Sequence, residues 1–342
     1  MSLFLKTAIK AGKAAGKIQK KYYGKVRNIR FKGNNKLNLV TEVDTLCEKT
    51  VLTILKKQFP SHNFWGEESG RGSGTSPYTW LVDPLDGTTN YAHSYPFFCC
   101  SIALIKQVSL PTNASVGARH ALPLRKPQSA SLNLSPSPSR GEGGRSPGEG
   151  NFNHFTTPHP NPLPQGAREI LKTNHSEAQE IIAAVVYDPL SDECFSAEKG
   201  QGAFLNGKRM QVTKTSDLKQ SMVCTGFAYQ VLSTNYNFQN FRNFVLKSQG
   251  VRRDGSAALN LSYVAAGRFE GFWERGIQAW DMAAGVLLVQ EAGGKVTDIS
   301  GKPFNLFAEN ALASNGKIHK KMFRILKSGK DEKKWANHHH SK

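Results

Sequence analysis

The segment Asp83–Thr89 carries the strongest chemical signal in the chain, and it reads Asp-Pro-Leu-Asp-Gly-Thr-Thr. It follows the apolar run Trp80–Val82, which predicts a buried strand that ends in a turn. Carboxylate oxygens three residues apart suit a hard cation such as Mg²⁺. The glycine that follows lets a phosphate approach bare backbone N–H groups. Because Asp and Gly are also ordinary turn residues, the segment needs further acids elsewhere to indicate a cation site beside a phosphate site.

Two other segments supply such acids. Trp65–Gly70 places Glu67 and Glu68 in a glycine-flanked loop, and Trp280–Ala284 places Asp281 at the start of an apolar helix. A carboxylate at a helix start is also a favourable cap, so a purely structural role for Asp281 is the alternative.

In this order and at roughly this spacing, the three segments resemble the inositol monophosphatase family of Mg²⁺-dependent, lithium-sensitive phosphatases. Further segments that resemble the family are Asn38–Asp44, Tyr187–Pro189, Gly200–Gly207 and Arg252–Ala258. The resemblance extends to about residue 315 with one interruption. It implies an α/β layered sandwich, the sugar-phosphatase fold, with an N-terminal α+β part and a C-terminal α/β part.

The resemblance also implies a site that binds two to three Mg²⁺ ions. A first ion would be held by Glu67, Asp83 and the Leu85 carbonyl, and a second by Asp83, Asp86 and Asp281. A third, more weakly bound ion would be held by Glu67. Clustered Mg²⁺ ions reduce the repulsion between a phosphate ester and incoming hydroxide, and they stabilise the leaving oxygen.

Further roles follow by the same resemblance. Asp44 and Thr88 match the pair that orients and deprotonates the attacking water, with Glu68 in support. The residues expected to contact the substrate are Gly87 and Thr88 through their N–H groups, Gly255, Ser256 and Ala257 along the pocket, and Glu274 at a ring hydroxyl. Either Lys32 or Lys36 fills a family lysine position. Asn38 stands where many members have Asp, and it is left out of the site.

These features predict a phosphomonoesterase that acts on myo-inositol monophosphate and related small polyol or sugar phosphates. A related phosphatase for fructose bisphosphate, histidinol phosphate or 3′-phosphoadenosine 5′-phosphate is the alternative within the same class. The family commonly forms homodimers, which predicts a homodimer with the segment Asp86–Pro96 near the interface.

The positive net charge of the chain points to a second class of function, the binding of an anionic partner. The chain has 45 Lys and Arg against 26 Asp and Glu, and eleven of the basic residues lie within residues 1–36, which contain no acid. Such basic ends can bind RNA or the ribosome, although a solvated helix face explains them as well. No apolar run has transmembrane length, lysines interrupt the N-terminus, and five cysteines show no metal-ligand spacing. These observations predict a reduced, cytoplasmic protein without membrane insertion.

Four parts are predicted along the chain. Residues 1–107 with 179–210 form the α+β part, with helices at 3–24 and 41–59 and strands at 79–83, 97–105 and 181–187. Residues 108–178, rich in Ser, Pro, Gly, Asn and Arg, are predicted to be a disordered, low-complexity insertion between Gln107 and Glu180. Residues 211–325 form the α/β part, with helices at 236–249, 256–267 and 280–292 and a strand at 295–299. Residues 326–342 form a basic tail.

Overall fold

The structure is a computed structural model that describes residues 1–26, 29–31, 39–109, 177–227 and 237–328. The predictions for Lys32, Lys36, Asn38, the tail beyond residue 328 and nearly all of the insertion lie outside these residues. The described residues on both sides of the segment 109–177 belong to one compact unit.

Two helices open the chain and are confirmed close to their predicted bounds: α1 (Leu3–Tyr22) and α2 (Glu42–Gln58). Ser2 caps α1 by accepting a hydrogen bond from the N–H of Leu5 at 3.1 Å. At the start of α2, the side chains of Thr41 and Asp44 form a reciprocal capping box. This box fixes the Asp44 carboxylate in the first turn of the helix.

The N-terminal sheet has eight strands: β3 (Asn63–Gly66), β4 (Gly70–Gly72), β5 (Tyr78–Asp86), β6 (Cys99–Ser109), β7 (Glu177–Asp188), β8 (Glu193–Glu198), β9 (Gly202–Leu205) and β10 (Lys208–Met210). Across the sheet they lie in the order β10-β9-β8-β7-β6-β5-β3-β4. A short antiparallel pair, β1 (Ile29–Phe31) and β2 (Leu39–Thr41), precedes α2, and the short helix α3 (Thr88–Ala92) follows β5.

The second sheet has five strands in the order β12-β11-β13-β15-β14. Its strands are β11 (Met222–Thr225), β12 (Gly250–Arg252), β13 (Gly271–Arg275), β14 (Lys295–Thr297) and β15 (Asn310–Ser314), and a 3₁₀ turn at Leu218–Gln220 precedes them. The accompanying helices are α4 (Phe238–Val245), α5 (Ala257–Ala265), α6 (Ala279–Glu291) and α7 (His319–Ser328). Helix α4 is shorter than predicted because the N–H groups of Lys247 and Ser248 both turn back to the Phe244 carbonyl.

Strand alternation explains how these elements stack. Trp80 and Val82 of β5 point to one face and pack with α1 and α2, while Leu81 points to the other and packs with α5 and α6. Those two helices also cover one face of the second sheet, and α4 and α7 contribute to the apolar cluster on its other face. The resulting order of layers is helix, sheet, helix, sheet, helix, which is the α/β layered architecture that the resemblance implies.

The segment 108–178 lies between neighbouring strands. Strand β6 ends at Ser109, β7 begins at Glu177, and the two are hydrogen-bonded neighbours in the sheet. The sheet therefore needs no more than a short turn at this point.

We expect that replacing the insertion with two or three turn residues between Gln107 and Glu180 leaves a folded and active protein. The free energy of closing a loop changes only logarithmically with its length, so the sheet should lose little stability and could gain some. Thermal melting and an assay of the activity that the resemblance implies check this for the shortened chain. Insolubility, or loss of activity with melting intact, would show that the segment contributes to the structure or the site.

No helix among the described residues is long and apolar enough to cross a membrane. All five cysteines are described, and each is free and buried.

Candidate active site

Strand β5 carries two of the predicted metal ligands. It was predicted to end at Asp83, but it continues to Asp86 with a register shift between these two residues against β6. Pro84 cannot donate a ladder hydrogen bond, so the strand is irregular here, and the Gln19 side chain donates to the Pro84 carbonyl at 2.8 Å. Regular alternation would send Asp83 and Asp86 to opposite faces, whereas both carboxylates line one cavity.

That cavity has a volume of about 280 Å³. Five acids contribute to its wall: Glu67, Asp83, Asp86, Glu274 and Asp281. Arg253 is the single Lys or Arg among the described residues that line it. The three predicted acidic segments thus converge, together with Glu274 from β13. So many carboxylates with so little positive charge create a strong preference for cations.

Burial and mutual repulsion raise the pKa of several of these acids. Burial raises the pKa of Asp83 well above its usual range, and the charges of Glu67, Asp86 and Asp281 raise it further. The pKa of Asp281 is raised well above its usual range by the same two causes, despite the hydrogen bond that its carboxylate accepts from the N–H of Gln278 at 2.7 Å. For Glu274, burial and then the charge of Asp86 raise the pKa to about 8. Strongly shifted pKa values in a cleft are typical of functional sites.

Asp86 is held by the start of α5. Its Oδ2 accepts hydrogen bonds from the Ser256 hydroxyl and from the N–H of Ala258, both at 2.6 Å. Burial raises the pKa of Asp86 to about 6, and the hydrogen bond from Ser256 limits the rise. One oxygen of Asp86 is therefore engaged with the protein, which fixes the direction in which the other can bind.

Asp44 lies behind the cavity wall and contacts it through Thr88. The Asp44 Oδ2 accepts hydrogen bonds from the Thr41 N–H and hydroxyl, and its Oδ1 lies 2.9 Å from the Thr88 hydroxyl. That hydroxyl also lies 3.0 Å from the Leu85 carbonyl oxygen. Burial raises the pKa of Asp44 to about 6, so this carboxyl can exchange a proton near neutral pH.

A left-handed glycine shapes the turn after Asp86. Gly87 has φ of 97°, and a side chain there would meet the Phe97 carbonyl oxygen at 2.8 Å. Only glycine fits this position, and it allows α3 to begin at Thr88. Gly255 also has a positive φ, of 86°. The Asn90 amide joins the two turns by donating to the carbonyls of Phe97 and Asp254, both at 2.7 Å.

The donor set suits a divalent cation. Carboxylates and a main-chain carbonyl are the ligands that Mg²⁺ prefers, and the charges of Glu67, Asp86 and Asp281 all oppose the ionisation of Asp83. A bound divalent cation would relieve this repulsion between the carboxylates. The carboxylates do not form a closed coordination shell, since no group of three or more His, Cys, Asp or Glu within the described ranges meets the geometry of a metal site.

The predicted site residues fall into three groups. Those that line the cavity are Glu67, Asp83, Leu85, Asp86, Gly87, Thr88, Gly255, Ser256, Ala257, Glu274 and Asp281. Asp44 does not line it and contacts it only through Thr88. Glu68 is likewise absent from the described lining, and its N–H points to Glu48 in α2. The structure places the Glu68 backbone against α2, and the supporting role of Glu68 stays a prediction.

Several residues that line the cavity were not predicted from the sequence, among them Arg253 and Asn260. Arg253 belongs to a matched segment, but its side chain was not considered for the site. Asn260, one turn into α5, is 1% exposed, and its Oδ1 has no hydrogen-bond partner within the part of the chain that the structure describes. Its spacing of three residues from Ala257 is a helical signal that could have placed it on the cavity side.

The raised pKa of Glu274 predicts how the stability of the metal-free protein depends on pH. Between about pH 7 and pH 8 the unfolded carboxyl is ionised, while the native one, with a pKa of about 8, still binds its proton. Because the native state holds more protons, the free energy of unfolding should fall as the pH rises, by roughly 1 kcal/mol for this group. His62 and His319, whose pKa values are lowered, titrate below this range.

Chemical denaturation in EDTA at several pH values across this range measures the slope. Glu274→Gln is the matched variant, since it keeps the shape and removes the titrating group. We expect a flatter slope for the variant, and an equal slope would contradict the assignment.

Comparisons with known proteins agree with this geometry. The sequence model of the Inositol monophosphatase family matches residues 1–117 and 175–330, and so passes over most of the insertion. Inositol-1-monophosphatase from Synechocystis is 35% identical over 328 residues, covering 95% of this chain and 89% of that protein. Nus factor SuhB from Pseudomonas aeruginosa is 32% identical, and the match covers 95% of this chain and 96% of that protein. A solved inositol monophosphatase from Anabaena superposes with a TM-score of 0.67 at 34% identity, with 95% of each chain covered.

Proposed function

The chain belongs to the inositol monophosphatase family, and from that premise we propose that it is a Mg²⁺-dependent phosphomonoesterase for myo-inositol monophosphate and related small polyol or sugar phosphates. One observation supports this proposal more strongly than the rest. Five acids from four separate segments surround a cavity whose wall also holds the glycine-threonine turn that begins α3. Carboxylates beside the backbone N–H groups of such a turn suit a phosphate ester bound together with its cations.

The metal ligands proposed are Glu67, Asp83, Asp86, Asp281 and the Leu85 carbonyl. Bound there, two to three Mg²⁺ ions would neutralise the phosphate oxygens and act as Lewis acids. The N–H groups at Gly87 and Thr88 would bind one face of the phosphate. Arg253 supplies a positive charge on the cavity wall that can bind the same dianion.

Asp44 and Thr88 are proposed to move the proton of the attacking water. The water would donate to the Thr88 hydroxyl while that hydroxyl donates to the Asp44 Oδ1, 2.9 Å away. The proton then ends on Asp44, whose pKa of about 6 matches such a task near neutral pH. Because Asp44 is buried behind Thr88, it acts through that hydroxyl and does not itself contact the substrate.

Two groups on the cavity wall would form hydrogen bonds with the leaving alcohol. Glu274 lies on the cavity wall, and its carboxyl group can form hydrogen bonds with ring hydroxyls. The Asn260 Oδ1 offers an acceptor that is left without a partner by the described residues. A polyhydroxylated ring supplies donors and acceptors for both, which supports inositol phosphate over less hydroxylated esters.

A substrate panel tests this proposal. Phosphate release should be fastest from inositol 1-phosphate, slower from fructose 1,6-bisphosphate, histidinol phosphate and 3′-phosphoadenosine 5′-phosphate, and sensitive to millimolar Li⁺. A preference for the nucleotide or histidinol ester would support the related phosphatases instead. Absence of turnover on every ester would contradict the enzyme proposal.

A second candidate, an RNA- or ribosome-associated factor, is favoured by two observations. Lys6, Lys10, Lys13, Lys17, Lys20 and Lys21 are all exposed on α1, and the relative from Pseudomonas aeruginosa is named a Nus factor. Binding to RNA through phosphates would weaken steeply as salt rises. A salt titration of RNA binding, with the α1 lysines changed to glutamine as the comparison, separates this function from the phosphatase.

We also propose a homodimer, with the segment Asp86–Pro96 near the interface. Tyr95 is half exposed in that segment, which leaves an aromatic ring available for contact. Light scattering at micromolar concentration should give about twice the 37.6 kDa mass of one chain. A mass close to that of the single chain would contradict the proposal.

A further inference from the structure

Helix α2 carries a second buried carboxylate one turn after Asp44. Glu48 is 3% exposed, and its two oxygens accept hydrogen bonds from consecutive backbone N–H groups. Oε2 accepts from Glu68 and Oε1 from Ser69, each at 2.8 Å. Both donors belong to the loop between β3 and β4, directly after the cavity residue Glu67.

The Glu48 carboxylate also lies close to Gly66, the residue directly before Glu67, and leaves little space for a side chain there. A side chain at Gly66 would lie 2.4 Å from the Glu48 Oε2. No L-residue fits there unless Glu48 moves, so the glycine is required for space. On its other side, the N–H of Glu67 donates to the Val82 carbonyl of β5 at 3.1 Å. The loop is thus anchored both to α2 and to the strand that carries Asp83.

The charge on Glu48 is balanced by these amides. No Lys or Arg within the described ranges forms an ion pair with Glu48, and a buried carboxylate without a cation is costly unless strong hydrogen bonds compensate it. A neutral side chain with one acceptor could hold this loop by a single hydrogen bond. Glu48 instead accepts two charge-assisted hydrogen bonds, which restrict the loop to one orientation. This restriction indicates that the orientation of the loop matters for function.

We propose that Glu48 is a positioning residue that fixes Glu67 beside Asp83 and thereby sets the affinity of the site for Mg²⁺. The proposal rests on the proposed metal site. Glu67 and Asp83 line the same cavity, and the Glu67 N–H is anchored to the strand that carries Asp83, so a displacement of the loop would separate the two carboxylates. Groups that orient metal ligands in this way commonly change metal affinity by about ten- to a hundred-fold when they are removed.

The test compares Glu48→Gln with a matched control, Asp188→Asn. Asp188 is also 3% exposed and accepts from two consecutive N–H groups, those of Leu190 and Ser191, but it does not line the cavity. Isothermal titration of Mg²⁺ should show a Kd raised about ten-fold or more in Glu48→Gln and unchanged in Asp188→Asn. The Mg²⁺ concentration for half-maximal activity should shift in parallel, while turnover at saturating Mg²⁺ changes little.

A folded Glu48→Gln protein with the wild-type Kd for Mg²⁺ would overturn the proposal, as would equal shifts in both variants. If Glu48→Gln does not fold, Gly66→Ala provides the same test, because the new methyl group displaces the Glu48 carboxylate without removing its charge. A wild-type Kd in folded Gly66→Ala would then overturn it. Absence of Mg²⁺ binding by the wild-type protein would contradict the proposed function itself, which is a separate outcome.

Discussion

Replacing Asp83 with asparagine should abolish phosphatase activity and leave a folded protein. Asp83 would help to hold both of the first two ions, so its loss should slow phosphate release by roughly a thousand-fold or more, about 4 kcal/mol. The fold should tolerate the change, since an asparagine oxygen can still accept the hydrogen bond that the Leu85 N–H donates at 3.0 Å. The measurement is turnover of inositol 1-phosphate at saturating Mg²⁺.

The same variant should be at least as stable as the wild type without metal. Burial and three neighbouring acids oppose ionisation of Asp83, and a neutral amide removes that repulsion. Melting of both proteins in EDTA gives the comparison. Activity above a tenth of wild type would contradict the role of Asp83 in holding both ions, and a large drop in melting temperature would show that Asp83 is needed for folding.

Replacing Thr88 with valine should reduce turnover by about 10²- to 10⁴-fold, the range that general acid–base catalysis contributes. Valine keeps the shape of threonine and removes the hydroxyl that connects the cavity to Asp44. The KM for substrate should change less than kcat, because the N–H groups that bind phosphate remain. Steady-state kinetics of the variant supply both values.

Thr7→Val is the matched control for this change. Thr7 is 8% exposed against 6% for Thr88, and its hydroxyl donates to a main-chain carbonyl in α1, at Leu3. The control should lose a comparable amount of stability and keep wild-type turnover. Equal kinetics for the two variants would exclude the proton path through Thr88.

The sequence predicted the architecture well where patterns are local. Apolar periodicity placed α1, α2, α5 and α6 within a few residues of their observed bounds, and the composition of residues 108–178 marked the interruption between β6 and β7. Four of the five acids were found because each lies in a short, distinctive segment, whereas Glu274 was assigned by the resemblance to a family alone. Their convergence came from the resemblance to a family, since spacing alone cannot show that residues 67, 83 and 281 meet.

Other features depended on contacts that the sequence does not encode locally. The irregularity at Pro84 turns Asp86 toward the cavity, whereas the apolar run indicated only that a strand ended nearby. Glu48 lies one helical turn after Asp44, but nothing in that spacing identifies the loop whose N–H groups it accepts. Arg253 and Asn260 line the cavity because hydrogen bonds from Ser256 and Ala258 hold the start of α5 against Asp86, a contact between residues far apart in the sequence.

The central claim is that the carboxylate cavity is a metal site for phosphate ester hydrolysis. Its most direct test is to strip the protein with EDTA, remove the chelator and follow phosphate release from inositol 1-phosphate as Mg²⁺ is added back. We predict negligible release without Mg²⁺ and recovery that saturates as the ion is titrated. Equal rates before stripping, after stripping and after Mg²⁺ addition would contradict the claim.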